Sequence, residues 1–173
     1  MKNILFLIAV AITTIAWSSR KSTPTVGQNN DIRSYYLTKV DAEKILGQRA
    51  TLTDSMSTNK NNVEAYQCTY TADEIDTHTG KLGAVYFMLE RYKDPATAKE
   101  RYHSFKTSNQ NSVGFKIIND IGDEAWFHTD DENFCLIIVR KNDKMLRMKV
   151  NKLTSKTSPD AFTQIAKVIT DRM

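Results

Sequence analysis

The chain contains few of the residues from which common catalytic and cofactor-binding sites are built. Its 173 residues include two cysteines, three histidines and six glycines. The glycines stand singly, so no glycine-rich loop is present that could cradle a phosphate group. No G-x-S-x-G motif and no cysteine–histidine signature of a nucleophilic enzyme occurs either. These absences argue against the common nucleotide-dependent and acyl-transfer enzymes, and no cofactor is predicted.

A strong excess of one charge is also missing. Lysine and arginine number 24 and aspartate and glutamate 20, a net charge of +4. Such a weakly basic chain lacks the electrostatic footprint of a nucleic-acid-binding protein, so no nucleic acid is expected as a partner. The length fits one domain with a sizeable core.

The N-terminus has the order of a bacterial export signal. Lys2 precedes an uncharged apolar run over residues 4–12, and the small Ala16 follows it. This run is shorter than the roughly 20 apolar residues that a spanning helix needs. We therefore predict a signal peptide over residues 1–16 and an extracytoplasmic protein, periplasmic or secreted. An uncleaved signal that holds the protein at the membrane is the alternative.

Trp17 stands where the signal of a bacterial lipoprotein carries its lipidated cysteine. Tryptophan has no thiol, so no thioether to a lipid can form at this position. A further alternative is that Trp17 replaces an ancestral cysteine, since the two codons differ by one base; relatives of this chain would then be lipoproteins. Residues 17–34 are rich in serine, threonine, asparagine and glutamine, and they predict a flexible polar tether. Residues 35–173 then form a single domain.

Three helices are predicted from capping residues and apolar stripes. They begin after Thr38, Asp94 and Ser158, and proline occupies the first helical position of the second and third. Between them lie strand-like segments joined by turns, and residues 51–62 are predicted to be a polar loop. The order α-β-β-α-β-β-β-β-α predicts an α+β fold, a mainly antiparallel sheet flanked by helices.

Two short sequences carry a resemblance to a known family. "INDIGDEAWF" begins a meander after the central helix, and a "VR-x-ND-x-M" hairpin follows it. With the order of elements, these features resemble the PsbP-type α/β/α sandwich over about residues 37–172. That group includes many small bacterial envelope lipoproteins of unassigned function. The resemblance implies a binding, sensing or accessory module, and it assigns no catalytic residue.

The two cysteines lie in predicted strands. Cys68 alternates with polar neighbours in "EAYQCTY", which places its side chain toward the core, and Cys135 lies in the apolar "NFCLIIVR". In an oxidising compartment they could form one disulfide, or they could remain two buried thiols. The sequence leaves both alternatives open.

Two acidic hairpins raise the question of a metal site. Asp76 and His78 lie in one hairpin, and His128 and Asp130 lie in another. Carboxylate and imidazole groups bind cations, and the two hairpins could meet at one end of the sheet. Turns are also rich in aspartate for conformational reasons, so solvated turns are the alternative.

A basic hairpin near the C-terminus suggests a contact surface. Its cationic residues include Arg140, Lys144, Arg147, Lys149 and Lys152. They predict a surface for an anionic envelope component or an acidic envelope protein, with peripheral contact to a membrane. An ordinary solvated hairpin, whose lysines discourage edge pairing, is the alternative.

These observations favour a non-catalytic extracytoplasmic binding or accessory module of the bacterial envelope. An envelope enzyme or metal-dependent domain that uses the two acidic hairpins is the first alternative. A structural component of the envelope is the second. A concave apolar pocket between sheet and helices would favour a small ligand, whereas a filled sandwich would place the function on the surface.

Overall fold

The computed structural model describes residues 36–173. The predicted signal peptide, Trp17 and the predicted tether lie outside the described residues. Within the described part of the chain, no helix combines the length and the apolar character needed to cross a membrane.

Three helices and seven strands make up the described chain. The helices are α1 (Lys39–Leu46), α2 (Pro95–Asn109) and α3 (Pro159–Arg172). The strands are β1 (Ala50–Lys60), β2 (Val63–Ala72), β3 (Ala84–Arg91), β4 (Phe115–Ile118), β5 (Glu124–Thr129), β6 (Phe134–Lys141) and β7 (Lys144–Asn151). The side chains of Thr38, Asp94 and Ser158 each accept a hydrogen bond from the first turn of their helix, as predicted.

All strands belong to one sheet in the order β1-β2-β3-β7-β6-β5-β4, and every neighbouring pair is antiparallel. The predicted α+β class with a mainly antiparallel sheet is confirmed, and the predicted elements occur in their predicted order.

The prediction of a polar loop over residues 51–62 is wrong, because this segment forms β1 and adds a third strand before α2. β1 is an edge strand that is exposed along most of its length, so it carries no apolar pattern. Asn61 and Asn62 both have positive φ, of 54° and 60°. Two such residues form the tight turn that joins paired strands, and asparagine adopts this conformation readily. The Asn-Asn pair was therefore the sequence signal for the β1–β2 hairpin.

The helices cover the two faces of the sheet unequally. α1 and α3 pack against each other and against one face, where they enclose the larger core. The buried side of α3 is the apolar stripe that the i, i+3, i+4, i+7 spacing predicts, Phe162, Ile165, Ala166 and Ile169, together with Thr170. α2 lies on the opposite face over β6 and β7, above a smaller core. The result is a three-layer arrangement whose second face is only partly covered.

Both cysteines are buried free thiols, which decides between the two alternatives. Cys68 lies on β2 and Cys135 on β6, with β3 and β7 between them. Three strand spacings amount to about 14 Å, and a disulfide needs Cα atoms closer than about 7 Å. Burial raises the pKa of Cys68 to about 11 and that of Cys135 to about 12. Both thiols are therefore protonated at neutral pH and are poor nucleophiles.

Candidate functional site

A groove runs beside α2 on the half of the sheet that this helix leaves uncovered. Its volume is about 520 Å³. Its lining residues come from six strands and from α2, and they include Tyr86, Met88, Phe105, Trp126, Leu136, Ile138, Arg147 and Lys149. A second hollow of about 450 Å³ continues from it toward the β1–β2 turn. Gln67, Met88 and Arg147 line both, so the two hollows form one continuous depression.

Strand register explains which side chains form the floor. Met56, Gln67, Met88 and Arg147 lie opposite one another on β1, β2, β3 and β7. The same row continues through Ile138 to Trp126 beneath α2. Directly paired residues of antiparallel strands share a face, so this row forms one line of side chains across the sheet. One part of the row is covered by the helix and the other is open.

The expectation that β3 is buried on both sides is wrong for the side that faces the groove. Its sequence "AVYFMLER" is apolar on both faces and predicts a strand that is buried on both sides. The side facing α1 and α3 is buried, with Val85, Phe87 and Leu89 nearly inaccessible. On the other side Tyr86 is 42% exposed, and Met88 is half-buried. β3 therefore presents apolar side chains to the groove because α2 does not extend over it.

Arg147 lies at the junction between the open floor and the helix. Its Nη2 atom is 3.2 Å from Oε2 of Glu90, and it contacts the sulfur of Met88. Its guanidinium also lies 4.9 Å from the ring centre of Phe105 on α2, a cation–π distance. The Nε atom is buried and has no hydrogen-bond partner in the described protein. The guanidinium is thus held in place from three sides with one donor unused.

A second unused donor lies deeper in the groove. Trp126 is fully buried, and its ring centre is 5.3 Å from that of Phe115. Its indole Nε1 has no hydrogen-bond partner among the described residues. Buried tryptophan N–H groups usually find an acceptor. An orphaned donor in the lining of a groove is a position where a ligand acceptor would be favourable.

The five residues of the predicted basic surface do not lie together. Arg140 forms ion pairs with Asp123 and Glu124 at 2.8 and 2.7 Å, and its side chain is only 11% exposed. The ammonium of Lys144 donates to the carbonyl of Met173 at the end of α3. Lys152 is exposed and follows the end of β7. Only Arg147 and Lys149 line the groove.

The two acidic hairpins do meet at one end of the sheet. Lys81 bridges them, because its ammonium donates to the carbonyl of Glu132 at 2.9 Å and contacts Oδ1 of Asn133 at 3.4 Å. Asp130 accepts backbone N–H bonds from Glu132, Asn133 and Phe134 within its own turn. His128 contacts the carbonyl of Val113 instead of a carboxylate.

Asp76, the fourth residue of the predicted metal site, connects two loops. It is fully buried and accepts hydrogen bonds from the backbone N–H groups of His78 and Ser155 and from the hydroxyl of Thr79. These bonds, first of all that from His78, hold the pKa of Asp76 well below its usual range. Residues 36–173 contain no group of three or more potential metal-ligating side chains. The carboxylates of both hairpins serve the loops themselves.

Comparison of the chain with protein-family models, curated proteins and solved structures finds no match. The resemblance to the PsbP-type sandwich therefore stays a prediction.

Proposed function

We propose that the protein is a non-catalytic extracytoplasmic binding module of the bacterial envelope whose groove binds a small, largely apolar molecule. The observation that carries this proposal is the size and lining of the groove. Its volume of about 520 Å³ falls within the range of small-molecule sites, about 300 to 1,000 Å³. Its walls are mostly aromatic and aliphatic with a few charged groups, which is the composition typical of such sites.

The exposed apolar residues of the groove support the same interpretation. Tyr86 is 42% exposed and Met56 49% exposed, and both belong to the same depression. Single exposed apolar residues are ordinary, whereas a connected apolar surface in a concave place is typical of a binding site. A ligand that covers this floor would remove its apolar surface from water, which is favourable at about 25 cal/mol for each Å².

The chemistry of the lining favours binding over catalysis. The ionisable groups of its lining are Lys60, Arg101, Arg147, Lys149, Asp54 and Glu90, besides Tyr86, Tyr92 and the protonated thiol of Cys68. The described lining residues include no histidine and no serine. The hydroxyl and thiol groups of Thr58, Thr69 and Cys68 therefore have no histidine beside them in the described lining, so the histidine-activated form of nucleophilic catalysis is not built from these residues.

Binding of a neutral apolar probe tests the proposal. N-phenyl-1-naphthylamine, whose fluorescence rises in apolar surroundings, is expected to bind the wild-type protein in a saturable manner. Tyr86→Glu places a charge in the groove, and desolvation of this charge is expected to weaken probe binding about tenfold or more. Fluorescence titration measures both affinities.

Val168→Glu is the matched control. Val168 is also a partly exposed apolar residue, but it lies on α3 and lines a smaller hollow of about 300 Å³ on the opposite face. Its substitution is expected to leave probe binding unchanged. Loss of binding in Val168→Glu with retention in Tyr86→Glu would move the binding site to the other face and contradict the proposal.

A further inference from the structure

We infer that the ligand of the groove is a single-chain amphipathic anion, of which a fatty-acid carboxylate is the simplest example. The anionic group lies against Arg147 and Lys149, and the apolar chain extends over Met88 toward β1. This inference rests on the proposed function, because it assigns the chemistry of the molecule that the same groove binds.

Two of the buried polar atoms without hydrogen-bond partners are donors that line the larger hollow, whereas the other two, Glu90 Oε2 and the Tyr92 hydroxyl, belong to residues that line the smaller one. Arg147 Nε and Trp126 Nε1 are buried without hydrogen-bond partners. Lys149 adds a third donor group, and its ammonium lies 5.2 Å from the ring centre of Phe134. A carboxylate has only acceptors to offer and would satisfy such donors, whereas an amine or an ammonium group would not.

The charges near the helix favour an anionic ligand. Arg147 and Lys149 are cationic, and Glu90 compensates one of them through its ion pair with Arg147. One positive charge of these three groups therefore remains at this end of the groove, and Arg101 of α2, which lines the adjoining hollow 4.8 Å from the ring centre of Phe105, adds another. Asp54, another acid of the lining, lies on β1, three strands away from Lys149 on β7. That separation corresponds to about 14 Å across the sheet, so the acid does not cancel the cationic end.

The remaining floor suits an apolar chain. From Arg147 the row of paired residues runs through Met88 and Gln67 to Met56 at the edge of the sheet. Tyr86 borders this row and is paired with Lys149. Methionine side chains are flexible and polarisable, and they adapt to chains of different shape. The groove thus has a cationic end beside α2 and an apolar path that leads away from it.

Three ligands that share a twelve-carbon chain distinguish the contribution of the head group to the binding affinity from that of the chain. Dodecanoate, dodecanol and dodecyltrimethylammonium are used below the concentrations at which they aggregate, and displacement of N-phenyl-1-naphthylamine reports binding. Dodecanoate is expected to bind about 10- to 100-fold more tightly than dodecanol, because hydrogen bonds to charged groups are worth that factor. The cationic ligand is expected to bind more weakly than both.

Substitutions test whether the preference for dodecanoate over dodecanol depends on Arg147. Arg147→Met alone would leave the largely buried Glu90 without its partner, so it is combined with Glu90→Gln to keep the pair neutral. In this double variant the ratio of dodecanoate to dodecanol affinity is expected to fall to near one. Glu90→Gln alone frees Arg147 from its partner and is expected to raise the ratio severalfold. Lys152→Met removes a basic residue outside the groove and is expected to leave the ratio unchanged.

The outcomes distinguish the inference from the proposed function. Equal affinity for dodecanoate and dodecanol in the wild type, or the same loss of preference in Lys152→Met, overturns the inference while groove binding stands. Salt-sensitive binding to anionic phospholipid vesicles without any preference for dodecanoate also overturns it, in favour of a membrane surface. If neither the neutral probe nor any of the three ligands binds, the proposed function itself fails. Thermal unfolding of each variant verifies that it is folded.

Discussion

Replacing Asp76 by asparagine is expected to lower the melting temperature by about 5 to 10 °C at neutral pH. The buried carboxylate connects the β2–β3 loop to the loop between β7 and α3, through the N–H groups of His78 and Ser155 at 3.0 and 2.5 Å. An asparagine keeps one acceptor oxygen and turns an NH₂ group toward one of these donors. A buried donor is then left unpaired, which is costly. Thermal unfolding followed by circular dichroism measures the change.

The same substitution has a pH dependence of known sign. The pKa of Asp76 is lowered in the folded protein, so its ionised form contributes stability above the ordinary aspartate pKa of about 3.9. That contribution is lost as the pH falls from about 4 toward the lower folded-state pKa. The difference in melting temperature between wild type and Asp76→Asn is therefore expected to shrink between pH 7 and pH 3.

Asp120→Asn serves as the control, because Asp120 is exposed on the loop before β5. It is expected to change the melting temperature little at either pH. Each variant is compared with the wild type at the same pH, because the pKa values of Asp94, Glu124 and Asp130 are also lowered and these groups contribute to the acid sensitivity of both proteins. A melting-temperature difference between wild type and Asp76→Asn that is larger at pH 3 than at pH 7 would contradict the stabilising role of the ionised Asp76.

Gly47→Ala is expected to destabilise the protein by about 2 to 5 kcal/mol, the sum of backbone strain and an overlap. Gly47 ends α1 with φ of +67°, and an added Cβ would lie 2.1 Å from the carbonyl oxygen of Lys156. The backbone of Ser158 also donates to the carbonyl of Ile45 at 2.9 Å, so α1 cannot move away freely. Chemical denaturation gives the change in free energy of unfolding.

Gly80→Ala is a closely matched control for this substitution. Gly80 has φ of +66°, but nothing lies within 4 Å of an added Cβ. Its replacement is expected to cost only the strain of the left-handed conformation, about 1 kcal/mol. The difference between the two variants isolates the close approach of α1 to the loop before α3. Equal destabilisation would show that the α1 contact with Lys156 is not maintained in solution.

The helices could be predicted because their signals are local. Thr38, Asp94 and Ser158 each bond within the turn that they cap, so sequence spacing alone is enough to place them. The long apolar stripe of α3 was equally direct. β1 could not be recognised by apolar alternation, since an exposed edge strand has no buried side to reveal. Its only local mark was the Asn61–Asn62 turn.

The candidate site depends on relations that no local pattern encodes. Arg147 and Lys149 alternate with apolar residues along β7, a pattern that predicts a shared side of the strand, and they do line the groove. Arg140 belongs to the same basic hairpin, but ion pairs with Asp123 and Glu124 occupy it. The groove itself exists because α2 stops short of β3. How far a helix extends over a sheet depends on tertiary packing, and the sequence of β3 could not show which of its sides stays open.

The fluorescence of Trp126 tests the central claim, that the groove beside α2 is a binding site, most directly. The chain contains two tryptophans, so Trp17→Phe leaves Trp126 as the sole one. Titration of this variant with dodecanoate is expected to change the Trp126 emission in a saturable manner, with the midpoint found by probe displacement. Adding Tyr86→Glu is expected to shift that midpoint to higher concentration. Dodecanoate binding detected by calorimetry without any change in Trp126 emission would place the ligand elsewhere and contradict the account.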